Sequence, residues 1–127
     1  VPWLPSLRAL ALLGGVYDLL LSVPMLVAPV WTALLFGAPA PVPVVNAQLN
    51  GLFTMTLALG YFWCAGDVVA RRGYLWVAGV FVKVLGSALF VGDHFLRGSP
   101  DSFLLFAATD GTIGLLTLAA LLREPAR

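Results

Sequence analysis

The chain has 127 residues, 61% of them hydrophobic and 10% charged, with a formal net charge of +1 and a mean hydropathy of +0.98. A soluble domain carries about 25% charged residues and cannot hide so much apolar surface from water, and the length allows one domain. No basic cluster exists that tracks a phosphate backbone, which excludes nucleic acid as a partner; Cys64, the single cysteine, excludes an internal disulfide and any multi-cysteine metal site.

Hydropathy predicts an all-α, four-transmembrane-helix bundle forming one integral membrane domain over residues 1–127. Each span is near the ~20 residues that cross about 30 Å of hydrocarbon. The first runs from about residue 7 to 28, with Pro24 bending or ending it. A removable leader needs a basic start, a short apolar run and a small-residue cleavage site, whereas this run is long and carries Asp18, so it reads as a retained span. Residues 29–36 (PVWTALLF) follow as a short outer interfacial helix with Pro at its start. Pro39, Pro41 and Pro43 mark a connection, and the second span covers about 44–64. The third covers about 74–91 and the fourth about 103–122. These runs are too long and continuous for barrel strands.

Arginine placement gives the expected orientation. Arg8, Arg71, Arg72, Arg123 and Arg127 fall on one side, and Arg97 on the other beside Asp93, His94 and Asp101. Both termini are thus expected in the cytoplasm, in a bacterial inner membrane. Trp63, Tyr74 and Trp76 read as the inner aromatic belt and Trp31 as the outer one.

Three ionisable residues stand inside the apolar spans: Asp18, Lys83 and Asp110. At 1.5 Å per residue, Asp18 lies about 15 Å past Arg8, Lys83 about 12 to 14 Å in from Tyr74, and Asp110 about 10 Å in from Phe103. Two acids and one base are thereby expected at a common depth, with Lys83 bonded to one or both acids. Asn46, Asn50 and Thr54, four apart on the second span, share a face, and Tyr61 continues it. Gly14, Asp18 and Ser22, then Gly79, Lys83, Gly86 and Ser87, then Ala107, Asp110, Gly114 and Thr117, form stripes of small and polar residues that are expected to face one another.

Charge at this depth is expensive, and two readings of the Asp18, Lys83 and Asp110 cluster stay open. One is an ionic lock that fixes helix register. The other is a ligand or proton site, since two acids against one base leave an excess negative charge that a proton or a cation neutralises. Asn46, Gln48 and Asn50 either contact a ligand's polar head or bridge helices. Asp93 and His94 read as a solvated loop pair, Cys64 as a small apolar filler, and Asp67 with Arg71 as a surface pair. No metal site is expected, and neither a cofactor nor a catalytic residue is indicated.

The length, the span spacing and the first helix from Arg8 through Pro24 resemble the small four-helix membrane proteins grouped as DoxX-like. Some members of that group are linked to quinone-coupled sulfur oxidation. Small multidrug carriers also have four spans and an acid in the first, but Lys83 and Asp110 depart from their pattern. The leading expectation is a non-enzymatic membrane subunit or ligand-binding bundle. A proton-coupled carrier of a small hydrophobic or cationic solute and a DoxX-like enzyme acting on quinone or lipid are the alternatives. Expected partners are the lipid bilayer, larger membrane subunits or a second copy, and a hydrophobic small molecule.

Overall fold

The computed structural model describes residues 2–124; Arg127, counted above for orientation, lies outside them. The described residues form five helices and no strand. These are α1 (Leu7–Val27), α2 (Pro29–Leu35), α3 (Val44–Ala65), α4 (Arg72–Arg97) and α5 (Ser102–Arg123). Three of them, α1, α4 and α5, are long and apolar enough to cross a membrane, with mean hydropathies of 1.9, 1.9 and 1.7. Their outer faces expose Leu20, Phe81, Leu89 and Leu115.

The ends of the helices have local causes. Ser6 caps α1 by accepting a hydrogen bond from the Ala9 amide at 3.1 Å. Pro24 neither ends nor breaks α1, which continues to Val27. Pro29 opens α2 at its first turn, where its missing N–H costs no helical bond.

Two features of α4 differ from the expected span of residues 74–91. Leu75–Val82 winds as a π-helix between α-helical segments, so positions counted at 3.6 per turn drift across it. Gly79 therefore packs against Thr117 of α5 while Gly86 does not, and the predicted stripe through both is split. The helix also runs on to Arg97, because the Arg97 guanidinium reaches back to Asp93 at 2.5 Å. Gly98 then takes the left-handed conformation at φ +73° that ends the helix. Asp93 and His94 are thus in the last turn of a helix and not a loop pair: Asp93 also accepts from the Ser99 hydroxyl, and His94 Nδ1 lies 2.7 Å from the Ser99 carbonyl. A Cβ at Gly98 would meet nothing within 4 Å, so Gly98→Ala is expected to destabilise through backbone strain alone, by about 1 kcal/mol in thermal melts.

The four long helices run alternately up and down. Side-chain contacts match Arg8 with Ala65 and Gly51 with Leu26 between α1 and α3, and Arg72 with Leu121 and Gly111 with Ser87 between α4 and α5. These two pairs are the most extensive packings in the bundle. Small residues bring them close: Gly14 and Gly15 lie under the Tyr61 and Phe62 rings, and Gly114 lies against Lys83 and the Gly79 carbonyl.

Packing is uneven along the bundle axis. At the arginine end, Leu7, Leu10, Ala11, Tyr61, Cys64, Leu75, Ala78, Ala120 and Leu121 form a tight core. The guanidinium groups there donate to carbonyls in the last turns of helices. Arg8 and Arg71 donate to Ala65 and Trp63 near the end of α3, and Arg72 donates to Leu121 near the end of α5. Arg71 also lies 4.5 Å above the Trp63 ring. It makes no ion pair with Asp67, contrary to the expected surface pair, because the helix-end carbonyl and ring are nearer partners; Asp67 instead accepts from the Ala70 amide. Tyr74, expected in an aromatic belt, turns inward, where its hydroxyl donates to the Leu57 carbonyl and its ring packs edge-on against Tyr61. At the opposite end the helix pairs diverge.

Candidate functional site

That divergence encloses a cavity of about 680 Å³ between the helix pairs, within the range of roughly 300 to 1,000 Å³ of small-molecule sites. Its inner end lies at Asp18, Lys83 and Asp110, and it extends past Met25, Phe53, Gly86 and Phe90 to α2 and the prolines Pro39 and Pro41. Lys83 and Asp110 stand seven residues from Phe90 and Phe103 on their helices, which makes the cavity about 10 Å long. The walls are mainly apolar and aromatic. Phe36, Phe90, Phe103 and Phe106 contact one another ring to ring, with centroids 4.8 to 6.2 Å apart.

The structure brings the three charges together. Lys83 Nζ donates to Asp18 Oδ1 and to Asp110 Oδ1, each at 3.1 Å. The side chains of Lys83 and Asp18 are 4% and 6% exposed, and that of Asp110 18%. Each comes from a different helix, and the small residues around them permit the approach: Gly114 lies one turn from Asp110 and directly against the stem of Lys83. The ammonium also sits 4.9 Å from the Tyr17 ring and 5.6 Å from the Tyr61 ring, distances at which aromatic faces attract a cation.

The second oxygens, Asp18 Oδ2 and Asp110 Oδ2, make no hydrogen bond among the described residues. No fully enclosed side-chain polar atom among the described residues lacks a partner. The two oxygens therefore open onto the cavity that their residues line.

Of the other expected residues, Asn50 and Thr54 line the cavity, and the Thr54 hydroxyl donates to the Asn50 carbonyl at 2.8 Å. Asn46 does not join them: it is exposed in the first turn of α3 and is not among the residues that line the cavity. Gln48 bridges helices, donating to the Leu26 carbonyl at 3.3 Å. Tyr61 is fully buried in the core beneath the site, with its hydroxyl donating to the Ala78 carbonyl at 3.0 Å, and does not face the cavity. Sequence reasoning missed Tyr17, whose hydroxyl shares a 2.6 Å hydrogen bond with Thr109 Oγ1 and joins α1 to α5 beside the charges. Its adjacency to Asp18 was the available signal, but it lies off the stripe of small residues.

Across the cavity, α3 stands apart from Lys83–Arg97 of α4, with no pair of Cα atoms within 8 Å; Asn50, Phe53 and Thr54 line one side and Val82 and Gly86 the other. Phe53 is 64% exposed. Among the described residues no group of three or more His, Cys, Asp or Glu side chains converges as metal ligands. No family model, curated protein or solved structure matches the chain.

Proposed function

We propose that the chain is a small four-span integral membrane protein whose bundle binds a small hydrophobic molecule, as a ligand-binding subunit and not as an enzyme. The observation that carries this reading is the apolar cavity closed at its inner end by Asp18, Lys83 and Asp110. A purely structural ionic lock needs no such space beside it. The fourth span is α3: its 22 residues pair with α1 along its length, and the amides that lower its hydropathy include the cavity-facing Asn50. The arginines at one end support an orientation with both termini cytoplasmic, in keeping with a bacterial inner membrane, and α2, with exposed Trp31, then lies at the outer interface. The apolar outer faces suit lipid, a larger membrane subunit or a second copy.

Gly86 lines the cavity, and a Cβ there would meet nothing within 4 Å. Gly86→Leu should push a branched side chain into the cavity one turn from Lys83 and obstruct it without disturbing the helices. Native mass spectrometry of protein extracted with its surrounding lipid is expected to show a small hydrophobic molecule on the parent and its loss in Gly86→Leu. Identical bound species on both proteins would refute the cavity as the binding site. In a Cys64→Ala background, single cysteines at Arg72 and Ser99 are expected to label from opposite sides; labelling from one side sinks the four-span arrangement.

The separation of α3 from α4 along the cavity favours one alternative, the DoxX-like enzyme acting on quinone or lipid, because such substrates enter from the bilayer between helices. Recovery of a quinone with the parent protein and not with Gly86→Leu would support it.

A further inference from the structure

We propose that the cavity selects an amphiphile with a cationic, hydrogen-bond-donating head, a protonated amine on an apolar body, with the head seated on the free oxygens of Asp18 and Asp110. This rests on the ligand-binding reading above and adds the chemistry of the ligand.

Three observations carry it. First, the only ammonium at the site is already engaged: Lys83 Nζ donates two of its three hydrogens to Oδ1 of the two acids at 3.1 Å, so an anionic head would meet a positive charge that two carboxylates already counter. Second, the open acceptors are Asp18 Oδ2 and Asp110 Oδ2. Asp18 is 94% buried by its side-chain exposure of 6%, yet this oxygen has no hydrogen-bond partner among the described residues and opens onto the cavity. A buried acceptor of this kind is satisfied only by a donor that arrives from the cavity. Third, two carboxylates against one ammonium leave a formal excess of one negative charge, which a monocation cancels and an anion doubles. Tyr17, whose ring already lies 4.9 Å from one ammonium, lines the cavity beside the acids, and the phenylalanine-rich wall toward α2 accommodates the apolar body.

The test uses three probes with one apolar cage and different heads: 1-adamantylamine, 1-adamantanol and adamantane-1-carboxylate. Each is titrated near neutral pH against the protein in phosphatidylcholine nanodiscs, with binding read by native mass spectrometry. The amine is expected to bind at least about tenfold more tightly than the alcohol, and the carboxylate more weakly than either. Asp110→Asn retains the Lys83–Asp18 pair and is expected to remove most of the amine's advantage while keeping alcohol binding. Gly86→Leu is expected to abolish binding of all three. An amine that binds no better than the alcohol, or whose advantage survives Asp110→Asn, overturns the proposal. If all three bind alike and all are lost in Gly86→Leu, the cationic head falls and the ligand-binding reading stands. If none is lost in Gly86→Leu, or none binds the parent, both fall. Where Asp110→Asn fails to fold, the ranking of the probes on the parent and on Gly86→Leu decides the question.

Discussion

Lys83→Ala is expected to be among the most damaging single substitutions in the bundle. The lysine holds two carboxylates at 3.1 Å in surroundings where its own side chain is 4% exposed. Breaking a buried ion pair by removing one partner costs about 3 to 5 kcal/mol, chiefly because the remaining charge is left buried without compensation. Here two acids would be stranded together. Asp18→Asn and Asp110→Asn each leave a balanced acid–base pair, and asparagine still accepts a hydrogen bond from the ammonium. The lysine variant is therefore expected to be less stable than either by on the order of 1 to 3 kcal/mol. Asp110→Asn should be the mildest, since Asp110 retains the greatest exposure at 18%. The triple variant Lys83→Met, Asp18→Asn, Asp110→Asn separates lost charge from lost packing and should recover much of the loss, because a neutral cluster strands no charge. Thermal melts in a mild detergent measure the whole series. A Lys83→Ala protein as stable as its parent would mean that the cluster carries no weight in the fold.

The charges were legible in the sequence because a bilayer-length apolar run makes any ionised side chain conspicuous, and helix rise alone sets their relative depth. The small residues beside them, Gly14, Gly79 and Gly114, were legible for a similar reason: they recur at helical spacing and let backbones approach. The cavity was not legible. It arises because the helix pairs pack tightly around Leu10, Tyr61 and Leu121 at one end and part beyond Lys83, and the divergence of two helices is written in no single residue. The π-helical turn at Leu75–Val82 was hidden too, since its residues are ordinary apolar ones that fit α-helix equally well. Arg71 escaped because spacing of four suggests an ion pair with Asp67, whereas the Trp63 carbonyl and ring lie closer once the helix ends. Helix spacing identifies neighbours within an element; partners at helix ends depend on how the chain turns.

Tyr61 tests the tight end of the bundle as Lys83 tests its middle. It is among the largest fully buried side chains, and from α3 it packs against α1 and α4. Its ring lies over Gly14 of α1, where a Cβ would come within 2.7 Å. Its ring and that of Tyr74 meet edge to face with centroids 5.4 Å apart, and its hydroxyl donates to the Ala78 carbonyl in the π-helical turn of α4 at 3.0 Å. Removing a buried aromatic ring costs about 3 to 5 kcal/mol through lost contacts and the space left behind, so Tyr61→Ala is expected to lower stability by that amount. Tyr61→Phe keeps the ring and gives up one hydrogen bond, a loss of about 1 kcal/mol. Gly14→Ala alone pushes a methyl into the ring, an overpacking of about 1 to 3 kcal/mol. In the Tyr61→Ala background the same methyl enters vacated space and should cost little or even stabilise. Thermal melts of the two single variants and the double give this coupling directly. Additive losses would mean that the tyrosine ring does not rest on Gly14, and α1 and α3 would then have to be held together by something other than this contact.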